Sequence, residues 1–295
     1  MLKFTKKTAL KFALTTALIM PGLCQAIEIK LGGKNFTEQY IIAEATHQLL
    51  KAKGFDSSKI DGMGTSVLRK AMEHGQIDVY WEYTGTSLVA FNKIKDRLDP
   101  QATYAKVKKL DAKKGITWLT PSKANNTFAF AMRAEGYDDI NTLSDLAQAY
   151  NNGVKPTMSF GAEFSRRPDG LPGLEKAYKF KASRDHYVLM ESGLIYNALK
   201  GGDVDVGQVF ATDGRIAAFN LKVLKDDAGF FPNYALVPTV RTEILQKYPT
   251  LENILNSISE KLNDTVLQDL NARVDVEKQS VESVATHFLK ENNLI

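Results

Sequence analysis

Cysteine occurs once in the 295-residue chain, at Cys24, so neither a disulfide framework nor a cysteine-built metal site is available. Histidine is nearly as scarce. His47, His74, His186 and His287 show no metal-ligand spacing, and each lies in or beside a helical pattern, which fits surface or packing roles. The sequence contains no G-x-S-x-G elbow and no Walker-type glycine loop. No metal and no other cofactor is expected. No apolar run reaches bilayer length, and no low-complexity linker divides the chain.

Net charge is also lacking once the start of the chain is set apart. Lys3, Lys6, Lys7 and Lys11 surround and precede an apolar run from Phe12 to Leu23, followed by Cys-Gln-Ala. A basic segment, a short apolar segment and a small-residue cleavage site predict a secretory signal peptide over residues 1–26, cut after Ala26. Lipid anchoring at Cys24 is the weaker alternative, because Leu23 is bulky where such processing wants a small residue. Loss of the leader removes four lysines and no acids, which takes the formal charge of +4 to zero. A neutral mature chain has no electrostatic footprint for nucleic acid. The reading is an exported, periplasmic protein, expected to be monomeric, with enough chain for one large or two medium domains.

What the chain does have is an internal echo. The stretch Gly75–Thr86, GQIDVYWEYTGT, returns 127 residues later: Gly75 falls on Gly202, Ile77 on Val204, Asp78 on Asp205, Val79 on Val206 and Tyr83 on Phe210. Both copies read as helix, glycine stop, buried strand and an aromatic at the strand's exit. Two similar lobes that present rings to a common cleft would produce this pattern, since ligands of open α/β sheets sit beyond the carboxyl ends of strands. A repeated core strand with a buried aromatic would produce it too.

Around the echo the order is βαβα, βαβα, then helices, which predicts an α/β protein in two lobes with the second inserted in the first. The expected boundaries are 27–127 for the first part of lobe 1, 128–232 for lobe 2, and 233–295 for the return to lobe 1 and its C-terminal helices. Phe128-Ala129-Phe130 and Tyr234-Ala235-Leu236 are candidates for two strands that cross between lobes. Asn35 and Glu38 have capping-box spacing ahead of a helix that stops at Gly54. Lys34, Phe36 and Gln39 then lie at a strand-to-helix turn, where free N–H groups favour an anion. Thr65 is a candidate helix cap, and Asp99-Pro100 opens another helix.

Four acids, Asp78, Glu82, Asp205 and Asp213, are candidates for pairing as acid and base in chemistry of the glycosidase kind. Asp78 and Asp205 occupy equivalent places in the echo, which argues for a shared structural role in receiving backbone N–H groups, and no enzyme is expected. A binding protein uses the residues better. Rings at two lobe mouths form a box for a cation that has no hydrogen to donate, with each face contributing roughly 0.5–2 kcal/mol. A carboxylate on the same ligand would find Lys34 and the two-pronged donor Arg167. Arg167 paired with Asp169 or Glu163 in a loop salt bridge is the alternative.

The segments GGKNFTEQ (32–39), IDVYWEYTGT (77–86), NNTFAFA (125–131), GAEFSRRPDGLPGL (161–174), VFATDGRI (209–216) and FPNYALVP (231–238) together resemble the osmoprotectant-binding proteins of ABC importers. That family binds glycine betaine, choline, carnitine or proline betaine. The resemblance covers the mature chain in order. It implies a two-lobed type II periplasmic-binding-protein fold that closes by a hinge, with permease and ATPase subunits on separate chains. Matched motif by motif, it implies an aromatic cage of Tyr83, Phe128, Phe210 and Tyr234 and a carboxylate clamp of Lys34, Thr86 and Arg167. The chain departs from the family's pattern with Phe where Tyr is usual at 128 and 210, and with Asn126 where Asp is frequent. Weaker binding of simple betaines, or a shift to a larger or less polar cation, is the expected consequence. A betaine-like amine such as a trimethylated histidine derivative is the rival ligand, and a sensory protein using the same closure is the rival class.

Overall fold

The computed structural model describes residues 28–295; the leader, its Ala26 cleavage position and Cys24 lie outside the described residues. Two five-stranded sheets carry the architecture. The first takes β1 (Ile29–Lys34), β2 (Ser57–Met63), β3 (Val79–Tyr83), β4 (Ile116–Trp118) and, from late in the chain, β10 (Leu236–Arg241), in the order β2-β1-β3-β10-β4. The second takes β5 (Phe128–Arg133), β6 (Met158–Phe160), β7 (Tyr187–Leu189), β8 (Val206–Phe210) and β9 (Leu221–Leu224), in the order β7-β6-β8-β5-β9. In each sheet four strands run in one direction, and the fourth in spatial order runs antiparallel to both its neighbours. Although the antiparallel strand comes last along the chain in the first sheet and first in the second, the two sheets therefore share one spatial arrangement.

The echo in the sequence is the reason. β3 and β8 occupy the same span at an offset of 127, and Gly75 and Gly202, which end the preceding helices, both adopt left-handed φ of +72° and +81°. Those helices are α2 (Thr65–Glu73) and α6 (Ser192–Gly201). Asp78 Oδ2 accepts from the Lys30 N–H at 2.9 Å, and Asp205 Oδ2 accepts from the Thr157 N–H at 2.8 Å. Lys30 and Thr157 also stand 127 apart. The structural role expected for the two aspartates is what the geometry shows.

Layers of helix cover both sheets. α1 (Thr37–Ala52) packs on the first sheet beside α9 (Leu251–Ser259), α10 (Asp264–Asp275) and α11 (Val281–Glu291), and together they bury Ile41, Ile42, Leu49, Leu267, Phe288 and Leu289 against Trp81 and Leu236. α3 (Pro100–Ala112) begins as Asp99-Pro100 predicts, with the Asp99 side chain accepting from the Ala102 N–H at 2.7 Å. α4 (Leu143–Asn151) and α5 (Leu171–Tyr178) close the second core around Phe130, Phe160 and Leu174. A four-residue turn of helix, α7 (Arg215–Ala218), follows β8, and Pro249 separates α8 (Thr242–Lys247) from α9.

Several local expectations are corrected. The residue that caps α1 is Phe36, and it makes no side-chain cap bond; Asn35 and Glu38 form no capping box because Glu38 is drawn into a buried cluster described below. α2 is capped by Gly64, with Thr65 as its first residue. α4 starts at Leu143 and has the capping box that α1 lacks, between Thr142 and Asp145. Of the two segments expected to cross between lobes, Phe128-Ala129-Phe130 lies within β5, whereas Tyr234 and Ala235 precede β10, and Ala235 forms an isolated antiparallel bridge with Asn125 where the chain passes between the sheets.

Candidate ligand-binding site

Tyr83 ends β3 and Phe210 ends β8, so the matched strand ends bring two rings to the space between the sheets. Phe36, at the entry of α1, lies between them and stacks on both: its centroid is 6.2 Å from Tyr83 with an interplanar angle of 28°, and 5.1 Å from Phe210 at 16°. Phe128 opens β5 directly opposite Phe210 in the ladder, with ring centroids 5.6 Å apart. Tyr234 meets Phe128 edge-on at 5.2 Å. The four rings of the expected cage thus converge on one small cavity of about 70 Å³, which Lys34, Thr86 and Arg167 also line. All seven residues named from sequence are brought together. Phe36 and Phe164 complete the walls, and Phe36 was legible only as part of an anion-favouring turn.

Each tyrosine is held by a buried carboxylate. The Tyr83 hydroxyl donates to Glu38 Oε1 at 2.7 Å and accepts from Gln39 Nε2 at 3.0 Å; the Tyr234 hydroxyl donates to Asp169 Oδ2 at 2.7 Å. Burial, and then the neighbouring carboxylate, pushes both phenols well above their ordinary pKa, so both rings stay neutral. Neutral phenols keep electron-rich faces for a cation and tie the ring planes in place.

Glu38 is the hub of this arrangement. Its carboxylate, 3% exposed, accepts from Tyr83, from Asn126 Nδ2 at 2.9 Å, from Thr212 Oγ1 at 2.5 Å and from Asn271 Nδ2 at 3.5 Å. These donors come from β3, from the segment before β5, from the turn after β8 and from α10. Burial raises the Glu38 pKa, and the four hydrogen bonds, led by that of Thr212, oppose the rise. No sequence signal beyond the capping-box spacing had marked this residue.

The three clamp residues are present but not free. Lys34, 2% exposed, forms an ion pair with Glu82, which also accepts from the Tyr83 N–H at 2.7 Å and the Tyr80 hydroxyl at 3.1 Å. Burial lowers the Lys34 pKa, and Glu82 partly restores it. The loop pairing foreseen for Arg167 is formed with Asp169, through Nε at 2.8 Å and Nη2 at 2.5 Å. Burial alone would depress the Arg167 pKa, but Asp169 holds it above its ordinary value. Arg167 Nη2 also reaches Thr86 Oγ1 at 3.3 Å, joining the two halves of the molecule across the cavity. Thr86 begins a π-helical turn, Thr86–Phe91, directly after β3. The chain's own cations lie on the cage rings, with Lys34 Nζ 4.8 Å above Tyr83 and the Arg167 guanidinium 5.3 Å above Phe128.

Among the described residues no group of His, Cys, Asp and Glu forms a metal site, and no helix is long and apolar enough to cross a membrane.

Comparison with known proteins gives a consistent result. The family described as the substrate-binding domain of ABC-type glycine betaine transport systems matches residues 27–291. A glycine-betaine-binding protein of Pseudomonas aeruginosa is 42% identical over 286 residues, covering 94% of this chain and 92% of that protein. The ergothioneine transport permease/ergothioneine binding protein EgtU of Helicobacter pylori is 37% identical over 264 residues, covering 87% of this chain and 46% of that longer protein. Among solved structures, apo YehZ from Escherichia coli superposes with a TM-score of 0.65 at 33% identity, covering 91% of this chain and 99% of that one.

Proposed function

The chain belongs to the family of substrate-binding domains of ABC-type glycine betaine transport systems, and from that membership we propose that its inter-sheet cavity captures a quaternary-ammonium solute for import. It is an ABC-importer binding protein, with a family role in transport. In our reading the cation sits among Tyr83, Phe128, Phe210 and Tyr234, with Phe36 as a fifth wall. The observation that carries this is convergence: seven residues scattered from position 34 to position 234 line one cavity.

The clamp works within limits set by its ion pairs. Arg167 spends Nε and Nη2 on Asp169 and Thr86, so Nη1 is the arm left to receive a carboxylate. Thr86 accepts from Arg167 and keeps its own hydroxyl proton to donate. Lys34 has N–H groups beyond the one given to Glu82. Charge on the ligand therefore meets donors whose own charges are already balanced, which favours a zwitterion over a strong anion.

Capture uses closure. Lys34, Tyr83 and Thr86 belong to the first sheet's half and Phe128, Arg167 and Phe210 to the second. A ligand that touches both halves stabilises only the closed form and shifts the population towards it. The closed protein, acting as a monomer in the periplasm after loss of residues 1–26, then delivers to permease and ATPase subunits on separate chains.

Glycine betaine, choline, carnitine and proline betaine form the first panel, and a trimethylated histidine derivative the second, since the ergothioneine-binding relative is 37% identical. Calorimetric titration of the chain without residues 1–26 tests the reading. Saturable binding of a panel member, lost in Tyr83→Ala, supports it; absence of binding by every member overturns it.

A further inference from the structure

β3 leads through Thr84 and Gly85 into the π-helical turn Thr86–Phe91, whose first residue is the threonine of the clamp. Turns of this kind are rare and occur mostly at functional sites. This one is closed by the Asn92 N–H, which donates to the Ser87 carbonyl oxygen at 2.9 Å, and Asn92 Nδ2 donates to the same oxygen at 3.0 Å. Behind the turn stands a buried ion pair that capture, as described above, does not use.

The pair is Asp111 of α3, 0% exposed, and Arg69 of α2, 3% exposed. The Asp111 carboxylate accepts from both guanidinium arms of Arg69, at 2.7 and 2.8 Å, and from Trp118 Nε1 at 2.9 Å. It also accepts from Ser87 Oγ at 2.7 Å and from Asn92 Nδ2 at 3.0 Å, so it grips the turn near both of its ends. The Arg69 guanidinium in turn lies 5.0 Å over the ring of Phe91, the last residue of the turn. Burial would raise the Asp111 pKa, but the bonds from Arg69 hold it below its ordinary value. An ionised carboxylate only accepts, so the Ser87 hydroxyl proton is committed to Asp111, and Ser87 Oγ receives Asn92 Nδ2 at 3.1 Å. A buried pair carries a desolvation cost that apolar residues of the same volume would not, and what it adds in return is orientation.

We propose that the Arg69–Asp111 pair is a positioning element of the carboxylate clamp. By fixing Ser87 and Asn92 it fixes the neighbouring Thr86 hydroxyl opposite Arg167, 3.3 Å from Nη2, and so sets how far the protein prefers solutes with a carboxylate to solutes with the cation alone. The proposal rests on the cage and clamp reading given above. Neither Arg69 nor Asp111 lines the cage cavity, so both act only through the turn. The rings are tied elsewhere, Tyr83 to Glu38 and Gln39, and Tyr234 to Asp169. The chain ahead of the turn is tied as well: the Thr84 N–H donates to the Ala235 carbonyl oxygen at 3.0 Å, and Thr84 Oγ1 to the Asn233 carbonyl oxygen at 2.9 Å. A loosened turn therefore displaces Thr86 and spares the cage. Displacement matters because a recognition group has to be held to within about 0.5 Å of its working position.

The test sets glycine betaine against choline, which has the cation and no carboxylate, by calorimetry on the chain without residues 1–26. Asp111→Asn breaks the pair, whereas Ser87→Ala removes one tie and leaves the pair whole, and it decides the matter if Asp111→Asn does not fold. The ratio of betaine to choline affinity should fall about tenfold in Asp111→Asn, the effect of one lost hydrogen bond to a charged group, and about threefold in Ser87→Ala. Because the ratio is taken within each variant, a general loss of stability or affinity cancels from it. Thr86→Val should lower the ratio by itself, and Ser87→Ala added to it should lower it no further, since both act through one hydroxyl. A ratio unchanged in Ser87→Ala or in Thr86→Val, or a further fall in the double variant, would overturn the proposal and leave the cage standing. If neither ligand binds the wild-type protein, the cage reading fails, and this proposal fails with it.

Discussion

Asp78 and Asp205 make the same bond: each accepts the backbone N–H of the residue 48 positions before it, Lys30 in one sheet and Thr157 in the other. Each is also met by an arginine from the end of the antiparallel strand, Arg241 Nη1 at 2.9 Å from Asp78 and Arg133 Nη2 at 3.7 Å from Asp205. Alanine at either position strips an acceptor from a backbone donor, at a cost of about 1–3 kcal/mol in stability, with the more deeply buried Asp78 at the upper end. The two sites share no partner, so the double variant should lose the sum to within about 0.5 kcal/mol. Urea denaturation of the two single variants and the double variant checks this. Loss of ligand binding at unchanged stability would contradict the structural role.

Gly85 sets the position of Tyr234. A Cβ at residue 85 would stand 2.7 Å from Tyr234 Cδ1 and 2.8 Å from the Asn233 carbonyl oxygen, although the backbone itself, at φ −62°, is open to any residue. Gly85→Ala should therefore push the ring and the Asn233 backbone, while leaving the φ of residue 85 itself unstrained. The expected outcome is about a tenfold or greater loss of affinity, because misplacing one face removes roughly 0.5–2 kcal/mol of cation–π attraction along with packing. Titration of Gly85→Ala beside wild type measures it.

Phe128 and Phe210 oppose each other in the ladder between β5 and β8. A hydroxyl on either ring would polarise the cage as the family's usual tyrosines do. Phe210→Tyr and Phe128→Tyr should tighten glycine betaine relative to bulkier cations, and Phe210, whose ring lines the cage and a second cavity beside it, should matter more. Unchanged affinities across the panel would discard the idea that the phenylalanines set ligand preference.

Alkaline pH should destabilise the fold through its tyrosines. Tyr80, Tyr83, Tyr196 and Tyr234 are buried, and burial raises each pKa well above the ordinary value of 10.0. Above that value the unfolded phenols lose their protons while the native ones keep theirs. The native state then binds more protons, so stability present below pH 10 is lost as pH rises. Lys34, with its lowered pKa, acts in the opposite sense over the approach to 10.5, but it is one group against four. Urea midpoints measured from pH 9 to 11.5 should fall, and should fall less steeply in Tyr83→Phe.

Much of this was legible in the sequence, and the reasons differ by level. The echo marked β3 and β8 because a glycine stop and a short buried strand are local signals, and matching them at one offset also exposed the paired aspartates. The site residues came from motif resemblance, and they converge. Glu38 was misread because its local spacing fits a cap, whereas its actual partners lie 45, 88, 174 and 233 positions away. Only tertiary burial decides between those uses. Arg167 shows a different limit: a salt bridge and a place in the cavity wall were weighed as alternatives, and the side chain does both.

The central claim is that the rings bind positive charge and not merely bulk. Choline and 3,3-dimethylbutan-1-ol have nearly the same shape, and differ in the nitrogen cation replaced by neutral carbon. Parallel titrations of the wild-type protein measure that difference directly. The account predicts at least a tenfold preference for choline, since two or more cage faces at roughly 0.5–2 kcal/mol each distinguish the pair. Equal affinity for the two compounds would contradict it, and would reduce the cage to an apolar pocket.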